Sequence, residues 1–126
     1  MADFAVRYIV DDVTEAVTFY TDCLGFEVEV DRSRGFAALV RGDLRLFVNG
    51  TGGPGGASQE MPDGARPEPG GWNRFQIVVR DLEEEVDSLR KKGATFRNDI
   101  VTGRGGAQIL LQDPSGNLIE LFQPAS

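Results

Sequence analysis

The 126-residue sequence contains no histidine. This absence excludes imidazole general bases, Ser-His catalytic triads and imidazole metal ligands. Only one cysteine is present, Cys23, so no disulfide can form within the chain. A single thiol is typical of a protein that works in a reducing compartment, and we therefore expect a cytoplasmic location.

Positive charge is also scarce, with 13 Lys and Arg residues against 20 Asp and Glu residues and a net charge of -7. Because no basic tract is present, the charge pattern argues against a nucleic-acid partner. The apolar runs are short and no signal-peptide pattern opens the chain, so we expect no membrane association. The length suits one domain with a core that needs neither disulfides nor metal staples.

The first part of the chain predicts one helix among several strands. Residues 4–10 are apolar and β-branched and predict a strand. The run 12–15, Asp-Val-Thr-Glu, is a capping-box signature, and the helix that it opens ends at Gly25. Three strands are then predicted, which are 26–30, 36–40 and 44–48.

Residues 49–71 separate this part from a second copy of the same pattern. The segment holds half of the 16 glycines and four of the six prolines, a composition that predicts a loop or linker. After it, 74–80 predicts a strand, 81–84 a second capping box, and Gly93 the end of a second helix. The remaining strands are predicted at 95–98, 107–112 and 118–122. The order β-α-β-β-β thus occurs twice, in modules 1–48 and 72–126 that together form one domain.

Two runs of residues, VDDVTEAVTFYTDCLGF and DPSGNLIELFQP, resemble the vicinal-oxygen-chelate superfamily of glyoxalases, extradiol dioxygenases and bleomycin-resistance proteins. The resemblance covers nearly all of the chain outside 49–71. It implies an α+β fold of two βαβββ modules whose mixed sheet curves into a cup, with the helices on the outer face. It also implies small-molecule chemistry on the concave face, and a homodimer, which is usual for members of this length.

The resemblance places metal ligands of the metal-dependent relatives at four positions, here Ala5, Arg45, Arg74 and Glu120. Only Glu120 can coordinate a divalent ion, since arginine has no free lone pair and alanine no donor atom. Catalytic metal sites need about three protein ligands. We therefore expect neither a metal nor another cofactor, and we expect Glu120 to form an ion pair with Arg45 or Arg74.

Strand alternation then predicts which side chains line the cup. The predicted ligand-binding residues are Arg7, Phe36, Arg45, Phe47, Trp72, Arg74, Gln76, Gln108 and Glu120. Arginines, amides and aromatic rings together favour a flat or conjugated ligand. The alternative is that these residues form a solvated strand face that binds nothing. The strand phase leaves two orientations open for Phe36, and Trp72 is either a ligand or interface anchor or a core residue that covers the linker.

Three functions are compatible with these residues. The first is a metal-independent dimer that sequesters an antibiotic or another aromatic natural product, as in the bleomycin-resistance branch; its arginines favour a neutral or anionic polycyclic ligand. The second is a lyase, isomerase or dioxygenase with an unusual or absent metal site, in which Glu120 is the base and Arg45 and Arg74 stabilise an enolate. The third is a scaffold or regulatory dimer whose cup is vestigial.

Overall fold

A computed structural model describes residues 4–32, 35–52 and 56–126 of the chain. The contacts between residues divide the chain into two units, Met1–Gly70 and Gly71–Ser126. We refer to them as unit 1 and unit 2. Each unit has its own helix and its own mixed sheet. The predicted α+β class, with a βαβββ module in each half of the chain, is therefore confirmed.

Unit 1 consists of one helix that contacts a four-stranded sheet. Its elements are β1 Val6–Ile9, α1 Val13–Leu24, β2 Glu27–Asp31, β3 Phe36–Arg41 and β4 Leu44–Asn49. The strand order is β1-β4-β3-β2, with β1 parallel to β4 and the other pairs antiparallel. The glycine- and proline-rich segment falls in this unit as far as Gly70, and it contains a short 3-10 turn at Gly56–Ser58.

Unit 2 repeats this arrangement with one interrupted strand. Its elements are β5 Arg74–Val78, α2 Leu82–Lys91, β6 Thr95–Phe96, β7 Val101–Thr102, β8 Gly106–Gln112 and β9 Leu118–Pro124. The strand order is β5-β9-β8-β6, β5 is parallel to β9, and β7 also pairs with β8. Where the sequence predicts one strand at 95–98, the structure has only β6 over Thr95–Phe96, and the unpredicted β7 follows at Val101–Thr102. The predicted strand is cut short because the Asn98 side chain accepts a hydrogen bond from the Leu110 backbone N–H at 3.1 Å and occupies a pairing position of β8.

The first strand of each unit is shorter than predicted. The sequence predicts strands over residues 4–10 and 74–80, whereas the structure has strands at Val6–Ile9 and Arg74–Val78. The pairing continues for one hydrogen bond beyond each strand, from Val10 N to the Asn49 carbonyl and from Val79 N to the Phe122 carbonyl, both 2.8 Å. The chain then turns toward the helix N-cap. In each unit, the strand pairing thus stops two residues before the aspartate that caps the helix.

The caps form as their sequence predicts. Asp12 accepts a hydrogen bond from Glu15 N at 3.0 Å, and Asp81 accepts one from Glu84 N at 3.1 Å. Gly25 ends α1 in a left-handed conformation with φ of 68°. The second helix ends one residue earlier than predicted, at the cap Lys92, and Gly93 follows with φ of 86°.

Replacing Asp12 by alanine is expected to lower the free energy of unfolding by about 1 kcal/mol, because the Glu15 N–H loses its acceptor in the first turn of α1. Urea denaturation measures the change. Thr18→Ala, at an exposed position within the same helix, is the control and should change stability much less. Equal losses in the two variants would contradict the capping role.

The core of each unit lies between the helix and one face of the sheet. In unit 1, Tyr20 is fully buried and packs edge-to-face against Phe26 at 5.5 Å between ring centroids. Leu46 and Val48 of β4 are also fully buried, whereas Arg45 and Phe47 between them are half-buried. This alternation shows that the opposite face of the sheet is free to carry polar and aromatic side chains. Among residues 4–32, 35–52 and 56–126, no helix has both the length and the apolar composition that crossing a membrane needs.

Candidate functional site

The structure brings four of the predicted site residues of unit 1 together. Arg7 of β1 lies beside Phe47 of β4 in the parallel register, and Arg45 lies two residues before Phe47 on the same face. Phe36 of β3 pairs with Asn49, which also shares that face, and its ring meets the Phe47 ring at 5.4 Å with the planes at 63°. This settles the orientation of Phe36. We call the four residues Arg7, Phe36, Arg45 and Phe47 the Phe47 cluster.

Two guanidinium groups lie over the ring of Phe47. The distances from the ring centroid are 5.2 Å for Arg7 and 5.3 Å for Arg45, within the range of cation–π contacts. The Arg7 Nη1 donates a hydrogen bond to the side-chain oxygen of buried Asn49. The Arg45 Nη2 forms an ion pair with Glu29. The sequence did not single out Asn49 or Glu29, which hold the two arginines in place.

Only one of the two arginines has its charge neutralised by a carboxylate. Glu29 neutralises Arg45, whereas the partner of Arg7 is an uncharged amide. Within the part of the chain that the structure describes, no carboxylate forms an ion pair with Arg7. The Phe47 cluster therefore carries a net positive charge on a protein that is acidic as a whole.

In unit 2, three predicted residues form a network around Glu120, which is 8% exposed. The Arg74 Nε and Nη2 both lie 3.0 Å from the Glu120 Oε1. The Gln76 Nε2 donates to the Glu120 Oε2 at 2.7 Å. We call these three residues the Glu120 network. Of the two ion-pair partners expected for Glu120, Arg74 is the one that forms the ion pair, and Arg45 pairs with Glu29 instead.

Gln108 lies on the same face as the Glu120 network. It pairs with Phe122 in the antiparallel register of β8 and β9, and the next residue on that face, Leu110, pairs with Glu120. Gln108 is half-buried. Alternation along the strands thus groups the predicted residues of unit 2 as expected.

Trp72 lies outside the core. It is 63% exposed, which rules out the alternative that it covers the linker as a core residue. The guanidinium of Arg97 lies over the indole, 4.3 Å from the ring centroid, and the Trp72 carbonyl accepts a hydrogen bond from Arg74 Nη1 at 3.4 Å. The sequence did not single out Arg97, since only the folded chain brings it to Trp72.

A divalent metal ion does not fit the residues at the four positions taken from the resemblance. Ala5 has no donor, and Arg45 and Arg74 are cations that repel a metal ion. Both oxygens of Glu120 already accept hydrogen bonds from Arg74 and Gln76. In the described part of the chain, no three His, Cys, Asp or Glu side chains come together as a metal site does.

Comparisons with known proteins agree with the fold. Residues 4–121 match the family model described as Glyoxalase/Bleomycin resistance protein/Dioxygenase superfamily. A putative lactoylglutathione lyase of Brassica oleracea var. gemmifera is 26% identical in an alignment of 127 positions that covers 94% of this chain. The chain spans 43% of the length of that plant protein.

Two solved structures share the whole fold at low sequence identity. TioX from Micromonospora sp. ML1 superposes with a TM-score of 0.76 at 20% identity, covering 99% of this chain and 100% of TioX. TnmS3, an antibiotic binding protein from Streptomyces sp. CB03234, superposes with a TM-score of 0.68 at 22% identity, covering 99% of each chain. At these identities the likeness is one of fold.

Proposed function

Because this chain belongs to the Glyoxalase/Bleomycin resistance protein/Dioxygenase superfamily, we propose that it is a metal-independent binding protein for a flat, neutral or anionic aromatic molecule. The ligand class is an antibiotic or related natural product, which the protein sequesters. The observation that carries the proposal is the Phe47 cluster, where two guanidinium groups lie over a half-buried ring on one face of the sheet.

The chemistry of the Phe47 cluster supports an aromatic ligand with polar edges. A guanidinium stacked on a ring keeps its N–H edges free to donate in its own plane. The rings of Phe36 and Phe47 provide apolar surface for a second flat group. Arg7, which has no carboxylate partner in the described residues, attracts a carbonyl, phenolate or carboxylate oxygen. A cationic ligand meets repulsion here.

The Glu120 network supports binding without a metal ion. Because its carboxylate already accepts hydrogen bonds from Arg74 and Gln76, Glu120 is poorly placed both to coordinate an ion and to remove a substrate proton. The relative from Brassica oleracea is named a putative lactoylglutathione lyase, so catalytic turnover of a small molecule is the alternative to binding alone. We favour binding, and this choice is supported by the name of TnmS3, an antibiotic binding protein with the same fold.

We propose that two chains associate and that the ligand is held in clefts of the homodimer. Large apolar side chains are exposed in each unit, including Phe4 at 75% and Val78 at 60%. Such surface is typical of association sites. Light scattering coupled to gel filtration measures the mass, and a monomer at micromolar concentration would contradict this part of the proposal.

Arg7→Gln is expected to weaken binding of acidic polycyclic compounds about tenfold, because one charge-assisted hydrogen bond is lost. Neutral compounds of the same shape should bind to the variant almost as they bind to the native chain. Calorimetric titration with pairs of polycyclic carboxylates and their carboxamides measures both effects.

Arg41→Gln is the matched control, since Arg41 is an exposed arginine of the same unit at the β3–β4 hairpin. It should leave all affinities unchanged. Titrations that are flat for every compound, or binding that disappears when divalent ions are chelated, would contradict the proposed function.

A further inference from the structure

Unit 2 carries a basic surface that the proposed function does not use. Four basic residues lie within the run 90–97, although the chain as a whole has a net charge of -7. Two of them, Arg90 and Arg97, line one surface concavity of about 350 Å³. Its other lining residues are Ala94, Phe96, Asn98 and Asp99.

Backbone hydrogen bonds hold the walls of this concavity in place. Gly93 N donates to the Arg90 carbonyl and Ala94 N to the Leu89 carbonyl, both at 3.0 Å, which fixes the exit from α2. Arg97 N donates to the Leu110 carbonyl at 2.8 Å, which fixes the end of β6 against β8. The walls are therefore part of the folded framework of unit 2.

Each arginine of the concavity lies over an aromatic ring. The Arg90 guanidinium lies 5.3 Å from the Phe96 ring centroid, and the Arg97 guanidinium lies 4.3 Å from the Trp72 ring centroid. Stacking restricts a guanidinium while leaving its in-plane N–H donors available. Both groups thus have an aromatic contact before any ligand arrives, which lowers the entropic cost of binding.

Neither arginine is neutralised within the described residues, because no Asp or Glu there forms an ion pair with Arg90 or Arg97. Asp99 is the one carboxylate that lines the concavity, against two guanidinium groups. The lining therefore has a net positive charge. Paired planar donors of this kind match the geometry of carboxylate and phosphate oxygens.

We infer that this concavity is a second binding site, separate from the Phe47 cluster, for the oxyanion group of a small acidic molecule. Arg90 and Arg97 hold the phosphate or carboxylate group, and the rings of Phe96 and Trp72 position the two guanidinium groups. This inference does not depend on the proposed function, which concerns other residues.

The test uses inorganic pyrophosphate and citrate as probes, since one is a phosphate and the other a carboxylate. Each is titrated into the full chain by calorimetry at low ionic strength, against a chloride solution of matched ionic strength. We expect saturable binding of at least one probe. Tighter binding of pyrophosphate would indicate a phosphate ligand, and tighter binding of citrate would indicate a carboxylate ligand. Trp72 emission should change with the same midpoint, because Arg97 lies on the indole.

Arg90→Gln and Arg97→Gln should each weaken the probe about tenfold. Arg104→Gln, at an exposed position of the same unit, is the matched control and should bind like the native chain. Binding of polycyclic compounds to the Phe47 cluster should survive in all three variants. Absence of saturable binding for both probes, or equal affinity in the double Arg90/Arg97 variant, would overturn the inference.

Discussion

Replacing Gly106 by alanine is expected to lower the free energy of unfolding by about 3 kcal/mol, since a methyl group has no space there and the backbone conformation is unfavourable for it. Gly106 begins β8 with φ of 147°. A Cβ at this position would lie 2.1 Å from the Gln123 carbonyl oxygen and 2.9 Å from Ala125 N. Both contacts are with backbone, so the end of β9 must move.

Urea denaturation measures this loss, and Gly105→Ala is its matched control. The nearest atom to a Cβ on Gly105 is the Phe122 Cζ at 3.9 Å, an ordinary contact, so the control should cost at most about 1 kcal/mol. Equal urea midpoints for Gly106→Ala and the native chain would contradict the prediction, since they would show that β9 shifts without a loss in the free energy of unfolding.

A shift of β9 has consequences beyond the strand itself. The Gln123 side-chain oxygen accepts a hydrogen bond from Leu82 N at 2.7 Å, at the first residue of α2. Gly106 therefore permits the backbone of β8 to lie close to Gln123 of β9, and the Gln123 side chain in turn connects β9 to the first turn of α2. Hydrogen exchange of the first turn of α2 should become faster in Gly106→Ala than in the native chain.

The element order could be predicted because its signals are local. Each helix begins at an aspartate followed three residues later by a glutamate, and both aspartates accept the expected backbone hydrogen bond. The grouping of side chains followed from the two-residue period of a strand, which places Arg45 and Phe47 on the face opposite Leu46.

The parts of the site that the sequence did not predict depend on tertiary contacts. Glu29 lies where the register of β2 shifts between Val28 and Val30, so simple alternation does not give its direction. Asn98 interrupts a strand through a hydrogen bond to Leu110, which is distant in sequence. Arg97 meets Trp72 for the same reason, because residues before β5 and after β6 are brought together only in the folded unit.

Replacing Arg74 by methionine is expected to destabilise the protein by about 2 kcal/mol. The change leaves the carboxylate of Glu120, which is 8% exposed, with Gln76 as its only partner in the network. Removal of one partner of a fully buried ion pair costs about 3 to 5 kcal/mol, and the partial exposure of Arg74, 31% for its side chain, lowers that figure. Urea denaturation at neutral pH measures the change.

The double variant Arg74→Met/Glu120→Gln should recover at least half of this loss, since it removes the charge that the single variant leaves unpaired. Glu29→Gln is the control for an ion pair at the surface, and it should cost less than about 1 kcal/mol because Glu29 is 43% exposed. Failure of the double variant to recover stability would contradict the charge argument.

The proposal that the Glu120 network excludes a metal ion can be tested with the same variants. If Arg74 and Gln76 satisfy Glu120 completely, divalent manganese, nickel or zinc should leave the melting temperature of the native chain unchanged, because an ion that does not bind the folded state cannot stabilise it. Arg74→Met frees one oxygen ligand, which is still too few for a catalytic ion. A rise in melting temperature with any of these ions in the native chain would show that the Glu120 network opens to coordinate metal, and binding without metal would then lose its structural basis.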